Sequence, residues 1–223
     1  MNDHNAEVSE PIDDAAPAEP TAAVAAVAPI RKRPKPGERR VQILQTLAGM
    51  LEQPGADRIT TSALAAKLDV SEAALYRHFA SKAQMFEGLI EFIEQTVFTL
   101  INQIHEREAA SNLQVQKMLT VLLQFGEKNP GMARVMVGDA LVFENERLLA
   151  RMNQFFERFE SQLRQALRGM ADASGSATPT VDANAQASVV TAFAVGRLQR
   201  FARSGFKRSP TEHLDAALRM LAS

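Results

Sequence analysis

The chain has 223 residues, 46% of them hydrophobic, which is enough for one compact domain or two small ones. It contains no cysteine, which excludes disulfides and thiolate chemistry and fits a protein of the cytoplasm. Its opening residues are acidic and no stretch has the length and apolarity of a membrane span, so neither a secretory signal nor a transmembrane helix is predicted.

The net charge of −1 hides an uneven distribution along the chain. Residues 1–30 contain six acidic residues and no Lys or Arg, whereas residues 31–82 contain ten basic residues against five acidic ones. Local positive charge is what a protein needs to bind a phosphate backbone, because neutralised phosphates release counterions. Charge alone favours the simpler interpretation of a solvated surface with uneven charge, so the DNA-binding interpretation depends on a motif.

The first predicted element is a disordered tail, residues 1–36, which is rich in Ala, Pro, Asp and Glu and ends in a basic arm at residues 31–35. A helix follows from residue 38. It carries an apolar stripe at helical spacing and is expected to end at Pro54 and Gly55.

Three further helices are predicted at short intervals, over residues 61–68, over residues 72–79 and from residue 82 onward. Each follows a hydroxyl side chain that can cap a helix N-terminus: Thr60, Ser71 and Ser81. Ser81 and Gln84 also have the spacing of a capping box. The second and third helices are separated by only a few residues around Asp69. They must therefore cross steeply, as in a helix-turn-helix.

The rest of the chain is also predicted to be helical. Helices are expected over residues 113–129, 132–143, 146–170, 185–207 and 210–221, with a flexible connector at residues 171–181. Ser209 and Glu212 have capping-box spacing at the start of the last helix, with Pro210 at its first position. No segment alternates as a strand does. The predicted fold class is therefore all-α, with about nine helices.

The helix-turn-helix offers side chains suited to DNA. Its alanines allow the two helices to approach closely, and its core can form from Leu64, Leu68, Val70 and Leu75. The outer face of the third helix can enter a major groove, while stiff donors and helix N-termini suit phosphate oxygens. The predicted DNA-binding residues are Thr60, Thr61, Ser71, Glu72, Ala73, Ala74, Tyr76, Arg77, His78 and Lys82.

Residues 60–82 resemble the DNA-binding motif of the TetR family of transcription regulators, above all in residues 75–79 followed by Ser81 and Lys82. The resemblance covers residues 38–97. It implies a homodimer on palindromic double-stranded DNA, with base reading by the exposed side of residues 71–77. The implied phosphate contacts are Thr60, Thr61, Tyr76, His78 and Lys82. Asp69 stands where the family commonly has glycine, and a left-handed backbone is expected there.

The resemblance also implies a division of the chain. Residues 37–97 would form the DNA-binding domain and residues 98–223 a helical regulatory and dimerisation domain. The last two helices carry more apolar surface than they can bury on a small domain, at Val189, Phe193, Phe201, Leu214 and Leu218. Packing against the same pair of a second chain gives a four-helix bundle and sets the recognition helices about 34 Å apart.

Strings further along the chain, at residues 125–131, 153–158 and 162–165, are similar to the nucleoid occlusion branch of the TetR family. This similarity implies that the DNA-bound dimer engages the C-terminal tail of the division protein FtsZ and blocks ring assembly over the nucleoid. The matching tail-binding positions are Phe92, Val121, Gln124, Lys128 and Asn129. Lys128 replaces an expected arginine, and Leu100 stands where a basic residue is expected.

Two alternative functions remain open at this stage. A stripe of Phe155, Phe156 and Phe159 is most simply core, but it would line a ligand pocket if the protein were a ligand-responsive repressor. The second alternative is a DNA-binding scaffold that has a protein partner other than FtsZ. No metal, cofactor or enzymatic activity is predicted, because the histidines lack partners at ligand spacing and no nucleophile motif or phosphate loop is present.

Overall fold

The computed structural model describes residues 37–53 and 58–221. The predicted tail, the basic arm and the helix stop at Pro54 and Gly55 lie outside these residues. The described backbone forms nine α-helices and one short 3-10 helix and contains no strand, which confirms the all-α prediction. The α-helices are α1 (Glu38–Leu51), α2 (Thr61–Leu68), α3 (Glu72–Tyr76), α4 (Lys82–Arg107), α5 (Ser111–Lys128), α6 (Pro130–Met136), α7 (Glu146–Ala173), α8 (Pro179–Arg203) and α9 (Leu214–Leu221).

Helices α1, α2 and α3 enclose a small core that continues into α4. The predicted motif core is confirmed for Leu64, Leu68 and Leu75, which are buried, while Val70 is partly buried against them. Phe79 is also fully buried. Each buried apolar side chain contributes about 1.5–3 kcal/mol relative to exposure, so this cluster holds the three short helices in place.

The larger body of the molecule consists of α4, α5, α7 and α8, with α7 and α8 forming an antiparallel pair. Helix α6 links this body to the DNA-binding helices, because it packs against both α1 and α8. At the crossing with α1, a Cβ added to Gly131 would lie 2.1 Å from the Ala48 carbonyl oxygen. Only a glycine permits this approach.

Helix α4 continues without a break through residue 97, and a domain division at that point stays a prediction.

Several helix ends differ from the sequence-based expectation. The third helix ends at Tyr76 and not at residue 79. In the turn that follows, the N–H groups of His78 and Phe79 share the Leu75 carbonyl as acceptor, at 2.9 and 3.1 Å. The helix expected over residues 132–143 ends at Met136, since Gly138 adopts a φ of 82°.

The connector predicted over residues 171–181 is shorter than expected. Helix α7 extends to Ala173 and α8 begins at Pro179, which occupies a first-turn position where its missing N–H is not needed. Helix α8 ends at Arg203 and not at residue 207, because Gly205 and Phe206 both adopt positive φ.

The capping box predicted at Ser209 is wrong, and the last helix begins at Leu214 instead. The Ser209 hydroxyl donates a hydrogen bond to the Glu127 carboxylate of α5, and Thr211 Oγ1 donates to the same carboxylate at 2.7 Å. These contacts fix residues 209–211 against α5. Ser209 Oγ accepts from the N–H of Thr211, two residues on, at 3.1 Å, whereas a capping box bonds the N–H three residues on.

Candidate nucleic-acid interface

The turn between α2 and α3 has the geometry that the sequence predicts. Asp69 adopts a φ of 54° and a ψ of 52°, the left-handed conformation expected for it. The N–H groups of Asp69 and Val70 close the end of α2 on the carbonyls of Ala66 and Ala65, at 3.1 and 3.0 Å. Asp tolerates this conformation better than most residues, so the turn forms without glycine.

Side-chain caps start both helices of the motif. Thr60 Oγ1 accepts from the Ala63 N–H at 3.1 Å, and Ser71 Oγ accepts from the Ala74 N–H at 3.3 Å. A hydroxyl oxygen that accepts a bond in this way keeps its own hydrogen as a donor. Thr60 and Ser71 can therefore cap a helix and donate to a phosphate oxygen at the same time.

The outer face of the motif is held by a chain of polar contacts. Thr61 Oγ1 donates to Glu72 Oε2 at 2.7 Å, and the Tyr76 hydroxyl lies 3.5 Å from Thr61 Oγ1. Tyr76 is 45% exposed, so its hydroxyl stays accessible. The predicted DNA-binding residues on this face are exposed, apart from partly buried Thr61, Ala74 and Lys82. Their contacts with DNA stay a prediction.

Arg40 on α1 contacts the end of the helix-turn-helix, although the sequence pattern did not single it out. Its Nη1 donates to the His78 carbonyl at 2.7 Å, and its guanidinium lies 4.0 Å from the centroid of the Phe79 ring. A cation at this position stabilises the carbonyl end of α3. Arg40 lies 38 residues before His78, so no local sequence signal could reveal the contact.

Lys82 lies at the first position of α4, as expected for a phosphate contact. The cap is present, since Ser81 Oγ accepts a hydrogen bond from the Gln84 N–H at 3.2 Å. Gln84 Oε1 in turn accepts a hydrogen bond from the N–H of Ala80. The Lys82 ammonium, however, is paired with the Glu144 carboxylate, which lies just before α7. A DNA phosphate at this position must share the ammonium with Glu144.

Two more ion pairs join α4 to α7 beyond this one. Glu87 pairs with Arg147 at 2.6 Å, and Glu94 accepts two bonds from Arg151, at 2.6 and 3.0 Å. The Glu94 carboxylate raises the pKa of Arg151, and partial burial opposes that shift. The first half of α4 is therefore tied to the first turns of α7 by two ion pairs and to the segment just before α7 by a third.

The predicted tail-binding positions lie on α4 and α5, which pack against each other. Phe92 is 46% exposed, and its ring centroid lies 6.3 Å from that of Phe125. Gln124 and Lys128 are exposed and Val121 is partly buried. Asn129 donates from Nδ2 to the Phe125 carbonyl at 2.8 Å, so its amide is already used to close α5.

The predicted dimer positions divide into two groups. Val189 is 57% exposed and Phe193 is partly buried, whereas Phe201, Leu214 and Leu218 are buried within the protomer. The exposed surface of α8 continues through small residues at 185, 188 and 192. A Cβ added at Gly196 would meet nothing within 4 Å. This α8 surface leaves room for another helix.

The phenylalanine stripe of α7 is mainly core. Phe155 and Phe159 are buried, while Phe156 lines a cavity of about 290 Å³ between α6, α7 and α8. Thr191 also lines it; its hydroxyl oxygen has no hydrogen-bond partner among the described residues.

Within residues 37–53 and 58–221 no group of metal ligands occurs, and no helix combines the length and apolarity of a bilayer span.

Two family models match the chain. Residues 43–89 match the model described as bacterial regulatory proteins of the tetR family. Residues 110–223 match the SlmA-like model, described as the C-terminal domain of tetracycline-repressor-like proteins. The chain is 52% identical over 181 residues to the nucleoid occlusion factor SlmA of Alteromonas mediterranea, covering 81% of this chain and 92% of that protein. It is 49% identical over 191 residues to SlmA of Aliivibrio fischeri strain MJ11, covering 85% of this chain and 97% of that protein.

Solved structures of TetR-type regulators share the fold at low sequence identity. A TetR-family regulator from Rhodococcus superposes with a TM-score of 0.66 at 19% identity, covering 83% of this chain and 100% of that one. FadR from Bacillus subtilis, solved in complex with stearoyl-CoA, gives a TM-score of 0.64 at 16% identity, covering 82% of this chain and 97% of that one. These likenesses establish the fold alone.

Proposed function

The chain belongs to the SlmA family of nucleoid occlusion factors, which is built on the TetR-type fold, and we propose that it binds palindromic chromosomal sites as a homodimer and inhibits FtsZ ring assembly there. The observation that carries this proposal is the position of two surfaces on one helix. Helix α4 begins with Lys82 beside the helix-turn-helix and presents exposed Phe92 further along. At 1.5 Å per residue, these positions are about 15 Å apart.

The DNA-binding part of the proposal assigns two roles. Thr60, Thr61, Tyr76, His78 and Lys82 bind phosphate oxygens, and the exposed side of residues 71–77 reads base edges in the major groove. The contacts among Thr61, Glu72 and Tyr76 support this assignment, because they hold these side chains on the same exposed face. On binding, a phosphate oxygen would replace Glu72 as the acceptor of the Thr61 hydroxyl and Thr61 as the acceptor of the Tyr76 hydroxyl. Such a protein would be associated with the nucleoid.

The homodimer is proposed to form through the exposed surface of α8. Val189 stands among small residues that allow a second helix to approach closely, and Gly196 leaves space beside it. The buried positions Phe201, Leu214 and Leu218 would then support this surface from within the protomer rather than contact the partner chain.

Replacing Val189 by glutamate is expected to convert the dimer to a monomer, because the interface would bury an unpaired charge. Analytical ultracentrifugation at micromolar concentration measures the change. Val142→Glu is the matched control, since Val142 is 68% exposed and lies outside α8. A wild-type protein that sediments as a monomer both with and without DNA would contradict the dimer.

The FtsZ tail is proposed to bind across α4 and α5, at Phe92, Val121, Gln124, Lys128 and Asn129. Phe92 supplies an exposed aromatic anchor backed by Phe125, and Lys128 supplies a cation at the end of α5. Aromatic residues, Phe among them, are enriched at protein–protein interfaces, which favours exposed Phe92 as the anchor. The Asn129 amide donates from Nδ2 to the Phe125 carbonyl, so its Oδ1 is the atom that would accept a bond from the tail.

Phe92→Ala is expected to weaken FtsZ-tail binding about tenfold or more, because truncating an anchor residue costs about 2 kcal/mol. Fluorescence anisotropy with a labelled tail peptide measures binding, and light scattering of polymerising FtsZ with chromosomal-site DNA measures inhibition. The matched control is Phe143→Ala, since Phe143 is 68% exposed and lies outside α4 and α5. An unchanged tail affinity in Phe92→Ala would reject the surface. A wild-type protein that leaves FtsZ scattering unchanged with DNA present would reject the function.

A second candidate function is ligand-responsive repression. The observation that favours it is the cavity of about 290 Å³ beside Phe156, which is also lined by Thr191, whose buried hydroxyl oxygen has no hydrogen-bond partner among the described residues. Chromatin immunoprecipitation separates the two functions. Many binding sites spread over the chromosome and sparse near the terminus support occlusion, whereas one or two promoters support repression.

A further inference from the structure

A second basic region lies at the end of α8, far along the chain from the helix-turn-helix. Residues 183–211 contain no Asp or Glu. They contain five basic residues, Arg197, Arg200, Arg203, Lys207 and Arg208. Basic residues in the last turn of a helix are often explained by the negative end of the helix dipole. That explanation accounts for Arg200 and Arg203 but not for Arg208, which follows the helix.

An ordered turn brings Arg208 back beside α8. Gly205 and Phe206 adopt φ values of 62° and 64°, and a left-handed phenylalanine is unusual. Ser204 Oγ accepts from the N–H groups of Lys207 and Arg208, at 3.1 and 3.0 Å. The Phe206 ring packs on Phe201 with centroids 5.2 Å apart. Hydrogen bonds and packing therefore hold Arg208 next to the last turn of the helix.

The result is an open cavity of about 280 Å³ that collects positive charge. It is lined by Gln199, Arg200, Arg203, Ser204 and Arg208. No acidic residue lines it, and no described carboxylate is within ion-pair distance of its three guanidinium groups. Ser204 Oγ already accepts two bonds from its own turn. The charged groups that face the cavity are therefore hydrogen-bond donors only.

The cavity lies at the DNA-binding end of the helical body. Helix α7 begins next to the start of α4, as the Lys82–Glu144 and Glu87–Arg147 pairs show, and α8 runs antiparallel to α7. The end of α8 therefore returns toward the start of α4. Arg134 of α6 lies 5.6 Å from the Phe206 ring centroid, which joins this turn to the helix that packs against α1.

We propose that the cavity formed by Arg200, Arg203 and Arg208 is a phosphate-binding site. Guanidinium groups bind phosphate oxygens in bidentate geometry, and three of them, with no acidic residue in the lining, favour an anion over a neutral ligand. The position of the cavity favours the DNA backbone as the source of the phosphate, a view that rests on the DNA-binding function proposed above. A free phosphorylated compound has the same chemistry.

The test compares the full-length Arg203→Gln/Arg208→Gln variant with the wild type in two assays. The first is the salt dependence of binding to a duplex that carries a site recovered by immunoprecipitation. Loss of one backbone contact per protomer lowers the slope of log K against log salt by about 2 units for a dimer. The second is calorimetric titration with inorganic pyrophosphate, where the variant is expected to bind at least tenfold more weakly than the wild type. Arg107→Gln at the opposite end of α4 is the matched control and is expected to behave as wild type.

A lower salt slope assigns the site to the DNA backbone. An unchanged slope with saturable pyrophosphate binding that the variant loses assigns it to a free phosphorylated compound. If the variant equals the wild type in both assays, the proposal is overturned. A wild-type protein that binds no DNA would refute the proposed function, while the pyrophosphate titration would still decide whether the cavity binds phosphate.

Discussion

Gly131→Ala is expected to lower the free energy of unfolding by about 3 kcal/mol, because the added methyl group has no space at the crossing of α6 and α1. Its Cβ would lie 2.1 Å from the Ala48 carbonyl oxygen and 3.3 Å from the Leu51 Cβ. The first of these is a backbone atom, so the contact cannot be relieved by rotating a side chain. The two helices have to move apart.

Gly49→Ala on α1 is the control for this substitution. Gly49 is one residue from the same crossing, but a Cβ there meets nothing within 4 Å. Because alanine has a higher helix propensity than glycine, this control is expected to stabilise the protein by about 0.5–1 kcal/mol. Urea unfolding followed by circular dichroism measures both variants. If Gly131→Ala proves as stable as the wild type, the close approach of α6 to α1 is disproved.

Tyr76→Phe/Lys82→Gln is expected to reduce DNA affinity at least a hundredfold. The substitutions remove a hydroxyl and an ammonium from each protomer. A hydrogen bond to a charged group contributes about 1.5–3 kcal/mol, and the dimer loses each contact twice. The conservative replacements keep side-chain volume, so the fold should persist. Fluorescence anisotropy at several salt concentrations measures the loss, and the salt slope should fall by about 2 units as the two lysine charges disappear.

Glu144→Gln is expected to raise DNA affinity, the opposite effect to that of Tyr76→Phe/Lys82→Gln. In the free protein the Glu144 carboxylate forms an ion pair with the Lys82 ammonium, and its negative charge repels an approaching phosphate. Removing that charge while keeping a hydrogen-bond acceptor is expected to raise DNA affinity about three- to fivefold, which corresponds to about 1 kcal/mol. If the affinity of Glu144→Gln falls, Glu144 positions Lys82 instead of competing with DNA for it. If the double variant binds DNA as the wild type does, the phosphate contacts assigned to Tyr76 and Lys82 are wrong.

The helix ends show where sequence patterns were sufficient and where they failed. The stop before Pro130 was predicted, since a residue that precedes proline disfavours the helical conformation. The end of α6 at Met136 was missed, although Gly138 was available as a signal in the sequence. The start of α9 could not be found locally, because Ser209 bonds to Glu127, which is 82 residues away in the chain.

The sequence by itself determined the helix-turn-helix. Its caps at Thr60, Ser71 and Ser81 each bond a backbone N–H only three residues later, so the local sequence is enough to place them. Only the tertiary structure decided that Lys82 meets Glu144 and that Arg40 holds the end of α3, across separations of 62 and 38 residues. Contacts between residues so far apart in the chain depend on which helices pack side by side. A periodic apolar pattern identifies the buried face of a helix, but it does not identify the helix that packs against that face.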